Sequence, residues 1–306
     1  RGFSPFINCS SCGEFVKCVS CHVSLTYHRT QEGASVKCHY CNFSKSIPSV
    51  CESCGIEGLS FEGVGTQKVE EELIKQFPSI RVIRMDVDTT GWKGAHDDLI
   101  ERFRRHEADV LLGTQMVAKG LDFPDVTLVG VVSADTGIHM PDFRAAERSF
   151  QLLTQVAGRS GRGREPGEVV VQTRLPDNPV LKTAAEQDFV AFAERELHER
   201  KEAGFPPYGR LLVFRWKGSE DSNVESAARE GVGELIRYAD LDISVLGPAP
   251  APISRLRGNF RWQALIRGPS AFKLREITHK LWPALNASAK RYYSSLTVNV
   301  DPLTIM

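Results

Sequence analysis

Residues 108–132 read ADVLLGTQMVAKGLDFPDVTLVGVV, and residues 147–173 read ERSFQLLTQVAGRSGRGREPGEVVVQT. Apolar, strand-like runs alternate there with helix-like segments. The letters GT at 113–114, GLD at 120–122 and QVAGRSGR at 155–162 lie at the ends of those segments. Turns and helix ends are the places where proteins normally hold phosphate groups. The two quoted segments therefore predict a phosphate-handling site on a sheet covered by helices.

The same alternation extends back to residue 59. Apolar patterns predict strands at 59–64, 80–86, 109–113, 126–132 and 168–172, and helices at 66–77, 93–106 and 143–158. Alternation of this kind implies an α/β unit with a parallel sheet. Thr66 is the predicted N-cap of the first helix, and a capped helix start also presents free N–H groups to a phosphate. Gly113-Thr114 repeats the arrangement after a later strand.

Three polar residues of the last motif have helical spacing. Gln155, Arg159 and Arg162 stand at i, i+4 and i+7, so they share one face if the helix continues. Two neighbouring arginines repel each other unless an anion binds between them. A guanidinium group against a γ-phosphate stabilises the transition state of phosphoryl transfer. The alternative for so short a motif is a solvated basic turn.

All eight cysteines lie before residue 55, in four C-x2-C pairs: Cys9/Cys12, Cys18/Cys21, Cys38/Cys41 and Cys51/Cys54. Four equal short spacings are typical of knuckles that bind Zn²⁺ and are unusual for a secreted disulfide framework, which is the alternative. Eight thiolates make two closed four-cysteine sites, so the predicted zinc ions are structural.

The spacing between the four pairs indicates how they are divided between the two metal sites. Sixteen residues separate the second and third pairs, the gap of an ordinary zinc ribbon, whereas five residues separate the first and second. We therefore expect a nested arrangement, with Cys9, Cys12, Cys51 and Cys54 at one zinc and Cys18, Cys21, Cys38 and Cys41 at the other. A cross-braced pairing, first with third and second with fourth, is the alternative. His22, His28 and His39 are expected to be loop or surface histidines.

Length and composition set further bounds. A chain of 306 residues with 42% hydrophobic residues is expected to form about two domains with real cores. It has no run of about 18 apolar residues and no signal-like start, so we expect a cytoplasmic protein that does not enter membranes. The chain begins with Arg1 rather than Met, which is consistent with a fragment.

The last third of the chain predicts a separate α+β domain. Strands are expected at 211–216, 243–246, 261–266 and 296–300, helices at 224–238 and 272–289, and a connecting helix at 183–203. Residues 245–306 contain nine Lys or Arg and two Asp or Glu, a net charge of +7. Within them, residues 255–263 read RLRGNFRWQ, which nominates Arg257, Arg261 and Trp262 as DNA contacts. A solvated, charged strand is the alternative.

In order and spacing these motifs resemble the second RecA-like lobe of superfamily 2 helicases. EGVGTQKVEEEL is similar to motif IV, GTQMVAKGLDFP to motif V and QVAGRSGR to motif VI. Three further features resemble one family among these helicases, the bacterial primosomal protein N′ family of replication-restart DNA helicases. They are the four cysteine knuckles, the segment SADTGIHMPDFRAAERSFQLLTQVAGRSGR and the segment GFPPYGRLLVF.

This resemblance implies a division of the chain and roles for its residues. Residues 1–8 and 59–182 would form the lobe, 9–58 an inserted zinc module, 183–204 a connecting helix and 205–306 a domain that binds DNA or partners. Thr66 and Thr114 would lie near DNA phosphates, and Gly120 and Asp122 near ATP. Arg159 and Arg162 would reach the γ-phosphate, with Arg162 as the arginine finger. The implied partners are forked and single-stranded DNA, the acidic tail of single-stranded DNA-binding protein and other primosome proteins.

One absence limits the expected activity. The sequence contains neither G-x-x-x-x-G-K-[ST] nor D-E-x-[HD], the motifs that hold the β-phosphate and Mg²⁺. ATP and Mg²⁺ are therefore expected only with a first lobe that this sequence lacks, and the chain alone should not hydrolyse ATP. The alternative hypothesis is a scaffold without motor activity, which binds stalled forks and recruits replication proteins.

Overall fold

The computed structural model describes residues 7–21, 23–30, 33–61, 65–86, 89–90, 94–114, 117, 123, 125–158, 167–240 and 242–305. The strands are β1 (Ile7–Cys9), β2 (Thr26–Thr30), β3 (Gly33–Lys37), β4 (Ser44–Ser46), β5 (Leu59–Phe61), β6 (Val82–Met85), β7 (Val110–Gly113), β8 (Leu128–Val131), β9 (Glu168–Val171), β10 (Arg210–Gly218), β11 (Ser244–Leu256), β12 (Asn259–Gly268) and β13 (Ser295–Val300). The helices are α1 (Thr66–Gln76), α2 (Ala95–Arg104), α3 (Ala134–Ile138), α4 (Ala145–Ala157), α5 (Pro179–Ala185), α6 (Phe189–Ala203), α7 (Asp221–Tyr238) and α8 (Ala271–Arg291).

These elements divide into two compact units, each made of several chain segments. The first contains residues 1–5, 60–138 and 147–189. The second contains residues 6–59, 139–146 and 190–306, so it joins all eight cysteines to the C-terminal part of the chain. The protein is therefore a mixed α/β protein in which sequence neighbours do not always share a unit.

The first unit contains parallel strand pairs, as the alternation of strand and helix predicts. β6 pairs with β7, with Val82 opposite Val110, and β8 pairs with β9. Helix α2 lies between β6 and β7 in the chain and buries Ile100. Its first turn is acidic and its last turn is basic, which suits the helix dipole.

Gly113, at the end of β7, lies very close to the neighbouring strand. A Cβ atom at this position would lie 2.6 Å from the carbonyl oxygen of Met85. Because backbone cannot yield as a flexible side chain can, this close approach of β6 and β7 requires glycine. The glycine of the GT motif is thus explained by packing within the unit.

The second unit is built around a four-stranded antiparallel sheet in the order β11-β12-β10-β13. Side chains alternate between its faces, as they do in any strand. Phe214 and Trp216 of β10 pack in one apolar cluster with residues of α7 and α8, whereas Leu211 and Val213 belong to another. Both faces of this sheet are therefore covered.

The cluster on the second face brings the cysteine-rich segment against the sheet. It combines Val36, Cys38 and Tyr40 with Val213 of β10 and Leu265 of β12. The small three-stranded sheet β2-β3-β4 supplies the hairpins that carry these residues. A module too small for a large core of its own thus buries apolar surface on the C-terminal sheet.

Two local predictions are wrong. The single helix expected at 183–203 is divided into α5 and α6, and Gln187, between them, has a positive φ of 55° that a continuous right-handed helix does not allow. The N-cap of α1 is Gly65 rather than Thr66, which is the first helical residue.

Candidate metal centres and nucleic-acid interface

The four C-x2-C pairs share one backbone geometry. The N–H of the first cysteine of each pair donates to the carbonyl five residues later: Cys9 to Glu14, Cys18 to Val23, Cys38 to Phe43 and Cys51 to Ile56. In three pairs the residue after the second cysteine has positive φ: Gly13 at 74°, Asn42 at 65° and Gly55 at 73°. Glycine and asparagine tolerate this conformation best, so local sequence preorganises these tight turns.

The turns bring the thiols together in two groups of four. One group is Cys9, Cys12, Cys51 and Cys54, and the other is Cys18, Cys21, Cys38 and Cys41. Within each group the sulfur atoms all lie within 4.8 Å of one another. This is the nested arrangement rather than the cross-braced one.

Distances between sulfur atoms fit a tetrahedral ion. The Sγ atoms of Cys9 and Cys54 are 3.7 Å apart, and those of Cys18 and Cys41 are 3.6 Å apart. Four thiolates at the usual zinc–sulfur distance would be about 3.8 Å apart, whereas a disulfide needs about 2.0 Å. Backbone N–H groups of Ser11 and Tyr40 point at the sulfur atoms of Cys9 and Cys38, both at 3.4 Å, and so stabilise negative charge there. Each group can therefore hold a metal ion.

In the second group, a negative charge on one thiol makes it harder for the neighbouring thiols to ionise. A hydrogen bond from Cys21 lowers the pKa of Cys38 to about 5, and the same bond raises the pKa of Cys21. Burial raises the pKa of Cys41 to about 11. These thiols do not ionise together on their own, and a divalent cation is the kind of group that would stabilise all of them as thiolates.

His39 lies in the turn between Cys38 and Cys41, so it is a loop residue as predicted, but it is not at the surface. His39 is buried, and its Nδ1 lies 2.7 Å from the carbonyl oxygen of Pro250 in β11. Because a carbonyl can only accept, Nδ1 carries the proton and Nε2, 3.3 Å from Nε2 of His28, is the acceptor. Burial lowers the pKa of His39 to about 4, so the ring is neutral. Neither His28 nor His39 belongs to a group of four ligands.

Gln263 of β12 continues this connection between the second cysteine group and the sheet. Its fully buried side chain donates from Nε2 to the carbonyl oxygen of His39 at 3.2 Å. Its Oε1 accepts from Nη2 of Arg215 at 3.3 Å. Sequence reasoning did not single out Gln263, because no local pattern distinguishes it from a surface glutamine.

The segment PDFRA, residues 141–145, which has no predicted chemical role, contacts residues 304 and 305. Buried Asp142 accepts through Oδ2 from Oγ1 of Thr304 at 2.7 Å and from the N–H of Ile305 at 3.2 Å. The N–H of Phe143 donates to the hydroxyl of Tyr40 at 3.0 Å. This segment therefore ties the knuckle of Cys38 and Cys41 to the C-terminal residues.

In the first unit, the hydroxyl of Thr66 already has a partner. It donates to Oδ2 of Asp86 at 2.7 Å, and Arg84 lies 3.2 Å from both Asp86 and Glu70. A DNA phosphate would therefore meet the backbone N–H groups of the first turn of α1 rather than this hydroxyl. Thr114 is exposed directly after β7.

The nucleotide motif at 155–162 is described in part. Gln155 lies in the last turn of α4, which ends at Ala157. Arg159 and Arg162, with Gly120 and Asp122, lie outside the described residues. Their predicted contacts with ATP stay predictions.

The basic run at 255–263 is a hairpin with two different parts. Arg257 and Gly258 form the two-residue turn between β11 and β12, with φ of 49° and 81°, and Arg257 is exposed. Trp262 is 7% exposed, and its Nε1 donates to Asp221 at 2.8 Å. Arg261 is 8% exposed. The expectation that Trp262 offers a stacking surface is corrected, because its ring lies in the core.

Among the described residues, every helix is too short or too polar to cross a bilayer.

Comparisons with known proteins place this chain in a family. A family model described as the helicase conserved C-terminal domain matches residues 64–164, and one described as the primosomal protein N C-terminal domain matches residues 201–303. Replication restart protein PriA of Bacillus subtilis (strain 168) is 42% identical over 306 residues, which cover 100% of this chain and 38% of that protein. The Synechocystis sp. and Treponema pallidum proteins of the same name are 43% and 39% identical, over 100% of this chain and 36% and 46% of theirs. The chain thus spans less than half of these relatives, and over its own length it belongs to the PriA family of replication restart proteins.

Proposed function

We propose that this chain is the second RecA-like lobe, zinc module and DNA-binding domain of an ATP-dependent DNA helicase that recognises stalled or branched forks and restarts replication. The observation that carries the proposal is the match of residues 64–164 to the helicase conserved C-terminal domain. That range includes every predicted nucleotide and phosphate contact of the lobe, from Thr66 to Arg162.

The lobe would act on a nucleotide presented by another lobe. Arg159 and Arg162 would contact the γ-phosphate, with Arg162 as the finger that stabilises charge in the transition state. Gly120 and Asp122 would line the same nucleotide. Because the sequence lacks the motifs that hold the β-phosphate and Mg²⁺, the chain alone would not hydrolyse ATP.

The two cysteine groups would each hold one structural Zn²⁺. Bound to four thiolates, zinc supplies cross-links and leaves no open position for a substrate. Metal analysis of the purified chain should return about two Zn²⁺ per molecule. A value of one or none would contradict the proposal.

The C-terminal sheet and its hairpin would meet DNA, with Arg257 at the exposed turn. Single-stranded DNA-binding protein and primosome proteins are the proposed protein partners, and the bacterial cytoplasm is the proposed location. Residues 245–306 carry a net charge of +7, which suits an anionic partner.

Substitution of Arg162 in the complete protein tests the motor assignment. Arg162→Ala should reduce DNA-stimulated ATP hydrolysis at least about 1000-fold, because arginine fingers contribute that much to turnover. Arg164→Ala removes the same charge two residues away, outside the Gln155, Arg159 and Arg162 spacing, and should leave turnover near normal. Fork affinity should change in neither variant. Equal turnover in both variants would favour the scaffold without motor activity.

A further inference from the structure

Two arginines of the C-terminal sheet lie side by side on one face. Arg215 of β10 is opposite Gln263 of β12, and Arg261 precedes Gln263 by two residues, so all three side chains project from the same face. Arg215 and Arg261 are diagonal neighbours across the two strands. Residues in that relation are within reach of each other's long side chains.

Neither arginine has an acidic partner in the part of the chain that the structure describes. Arg215 donates only to neutral acceptors, Oε1 of Gln263 at 3.3 Å and the carbonyl oxygen of Ile305 at 3.1 Å. Its Nε is buried without a partner. Arg261 is 8% exposed and makes no hydrogen bond or ion pair with any described residue.

Two adjacent cations without an acidic partner, Arg261 buried and Arg215 half-buried, are an unfavourable arrangement. Burial lowers the pKa of Arg215, and the nearby charge of Arg261 lowers it further. Apolar residues of similar volume would pack here at no electrostatic cost. A sequence that keeps two guanidinium groups at such positions is best explained by an anion that binds them.

The arginine pair is also accessible. Arg215 is half-buried and Arg261 keeps 8% of its surface exposed, so the pair is not sealed from solvent. Lys217, opposite Arg261 in the neighbouring strand, is exposed, and Arg257 follows at the hairpin turn. Positively charged side chains therefore extend from Arg215 and Arg261 to the exposed surface at Lys217 and Arg257.

We propose that Arg215 and Arg261 form a binding site for a backbone phosphate of DNA, with Lys217 and Arg257 guiding the strand toward it. Guanidinium groups suit this ligand because their planar donors bind phosphate oxygens in pairs. The choice of nucleic acid over an acidic peptide rests on the proposed function.

Thermal unfolding in sodium phosphate and in sodium chloride of matched ionic strength tests the site. The wild-type chain should gain several degrees in Tm in phosphate, because an anion that binds only the folded state stabilises it. Arg261→Met should lose this gain, and in chloride its Tm should be equal to or above that of the wild type. Arg229→Met removes the same charge from the exposed side of helix α7 and should keep the gain.

Three outcomes would overturn the phosphate site. The wild type could respond equally to both salts, Arg261→Met could keep the phosphate gain, or Arg261→Met could melt well below the wild type in chloride. The last result would mean that the arginine supports packing rather than a ligand. A wild type that responds equally to both salts overturns the site even if the variant does not fold, and a gain supports the site only where Arg261→Met loses it, because phosphate also stabilises folded proteins in general.

Anisotropy titrations of forked DNA then identify the source of the phosphate. Arg261→Met should weaken DNA binding about tenfold or more and reduce the salt dependence by about one counterion, while Arg229→Met should not. Loss of the phosphate response with unchanged DNA affinity would contradict the DNA assignment. A larger loss of affinity for an oligoglutamate peptide than for DNA would point to a protein ligand instead. ATP hydrolysis in the Arg162→Ala experiment is a separate readout, so the two proposals can fail independently.

Discussion

The two cysteine groups have the same C-x2-C spacing within each pair and nearly the same turn geometry, but their surroundings differ. In the second group, Cys18 and Cys38 are each 1% exposed and belong to the apolar cluster that includes Val213 and Leu265. In the first group, Cys9 and Cys51 are also buried, but neither belongs to that cluster, and Cys54 is exposed with the rest of residues 52–58. The second group is part of the apolar cluster, and the first lies outside it with one side open to solvent.

Different forces therefore hold the two groups in place. The first group is attached by hydrogen bonds such as Ser10 Oγ to the carbonyl oxygen of Gly58, and by the exposed ion pair of Lys45 with Glu52. Exposed contacts of these kinds stabilise weakly. The second group is attached by apolar burial and by Gln263. A metal ion at the second group would support the unit's core, whereas one at the first would cross-link residues 9–12 to residues 51–54 outside that core.

The largest expected difference follows from removing one ligand of each group. Cys38→Ser should lower the free energy of unfolding of the second unit by about 4 kcal/mol or more, because loss of a metal and disturbance of a core coincide there. Cys54→Ser should lower it by about 1 kcal/mol or less, because its surroundings are exposed. Hydrogen exchange at the amides of Val213 and Leu265 measures the effect on the sheet.

Metal content is the control for this pair. Each variant should lose about one of the two Zn²⁺ ions, so that the two differ only in what the lost ion supported. Equal loss of protection at Val213 in both variants would contradict the contrast between core and surface groups. Equal retention in both would mean that the sheet is stable without the second ion.

A smaller effect is expected from Gln263→Leu. The substitution leaves the buried carbonyl oxygen of His39 without its donor and removes an acceptor of Arg215, at a cost of about 2 kcal/mol. Gln67→Leu is the control, since Gln67 is exposed on α1 and its side chain donates to Oε1 of Glu71 in the same helix at 3.2 Å. Equal unfolding midpoints for the two variants in urea would show that Gln263 does not join the second group to the sheet.

Tyr40→Phe should cost less, about 1 kcal/mol. It removes the hydroxyl that accepts from the N–H of Phe143 but keeps the ring, which lies 6.4 Å from the ring of Phe205. Chemical denaturation measures the loss, and Tyr293→Phe, at an exposed position, serves for comparison. A loss in Tyr40→Phe as large as that of Gln263→Leu would mean that the PDFRA segment, rather than the sheet, is the main attachment of the second group.

The sequence predicted those features that depend on neighbouring residues. The nested cysteine groups follow from spacing, because each knuckle is a local turn and the two inner pairs are one ribbon length apart. The parallel pair β6 and β7 follows from the alternation of strand and helix. The connections of His39 and Gln263 could not be predicted, because Pro250 lies 211 residues from His39 and Gln263 lies 224 residues from it. Trp262 was misjudged because alternation along β12 puts it on the core face, whichever residues precede it.

The smallest effect is expected at the surface loop of the first group. Ser10→Ala removes the side-chain hydrogen bond to the carbonyl oxygen of Gly58 but leaves the backbone bond from Ser10 N–H to the same oxygen at 2.8 Å. An exposed carbonyl can bond water instead, so the free energy of unfolding should fall by less than about 0.5 kcal/mol. Urea denaturation measures this, and both Zn²⁺ ions should remain. A loss above about 1 kcal/mol would show that the loop of the first group is coupled to the core after all, and the contrast between the two groups would then be one of degree.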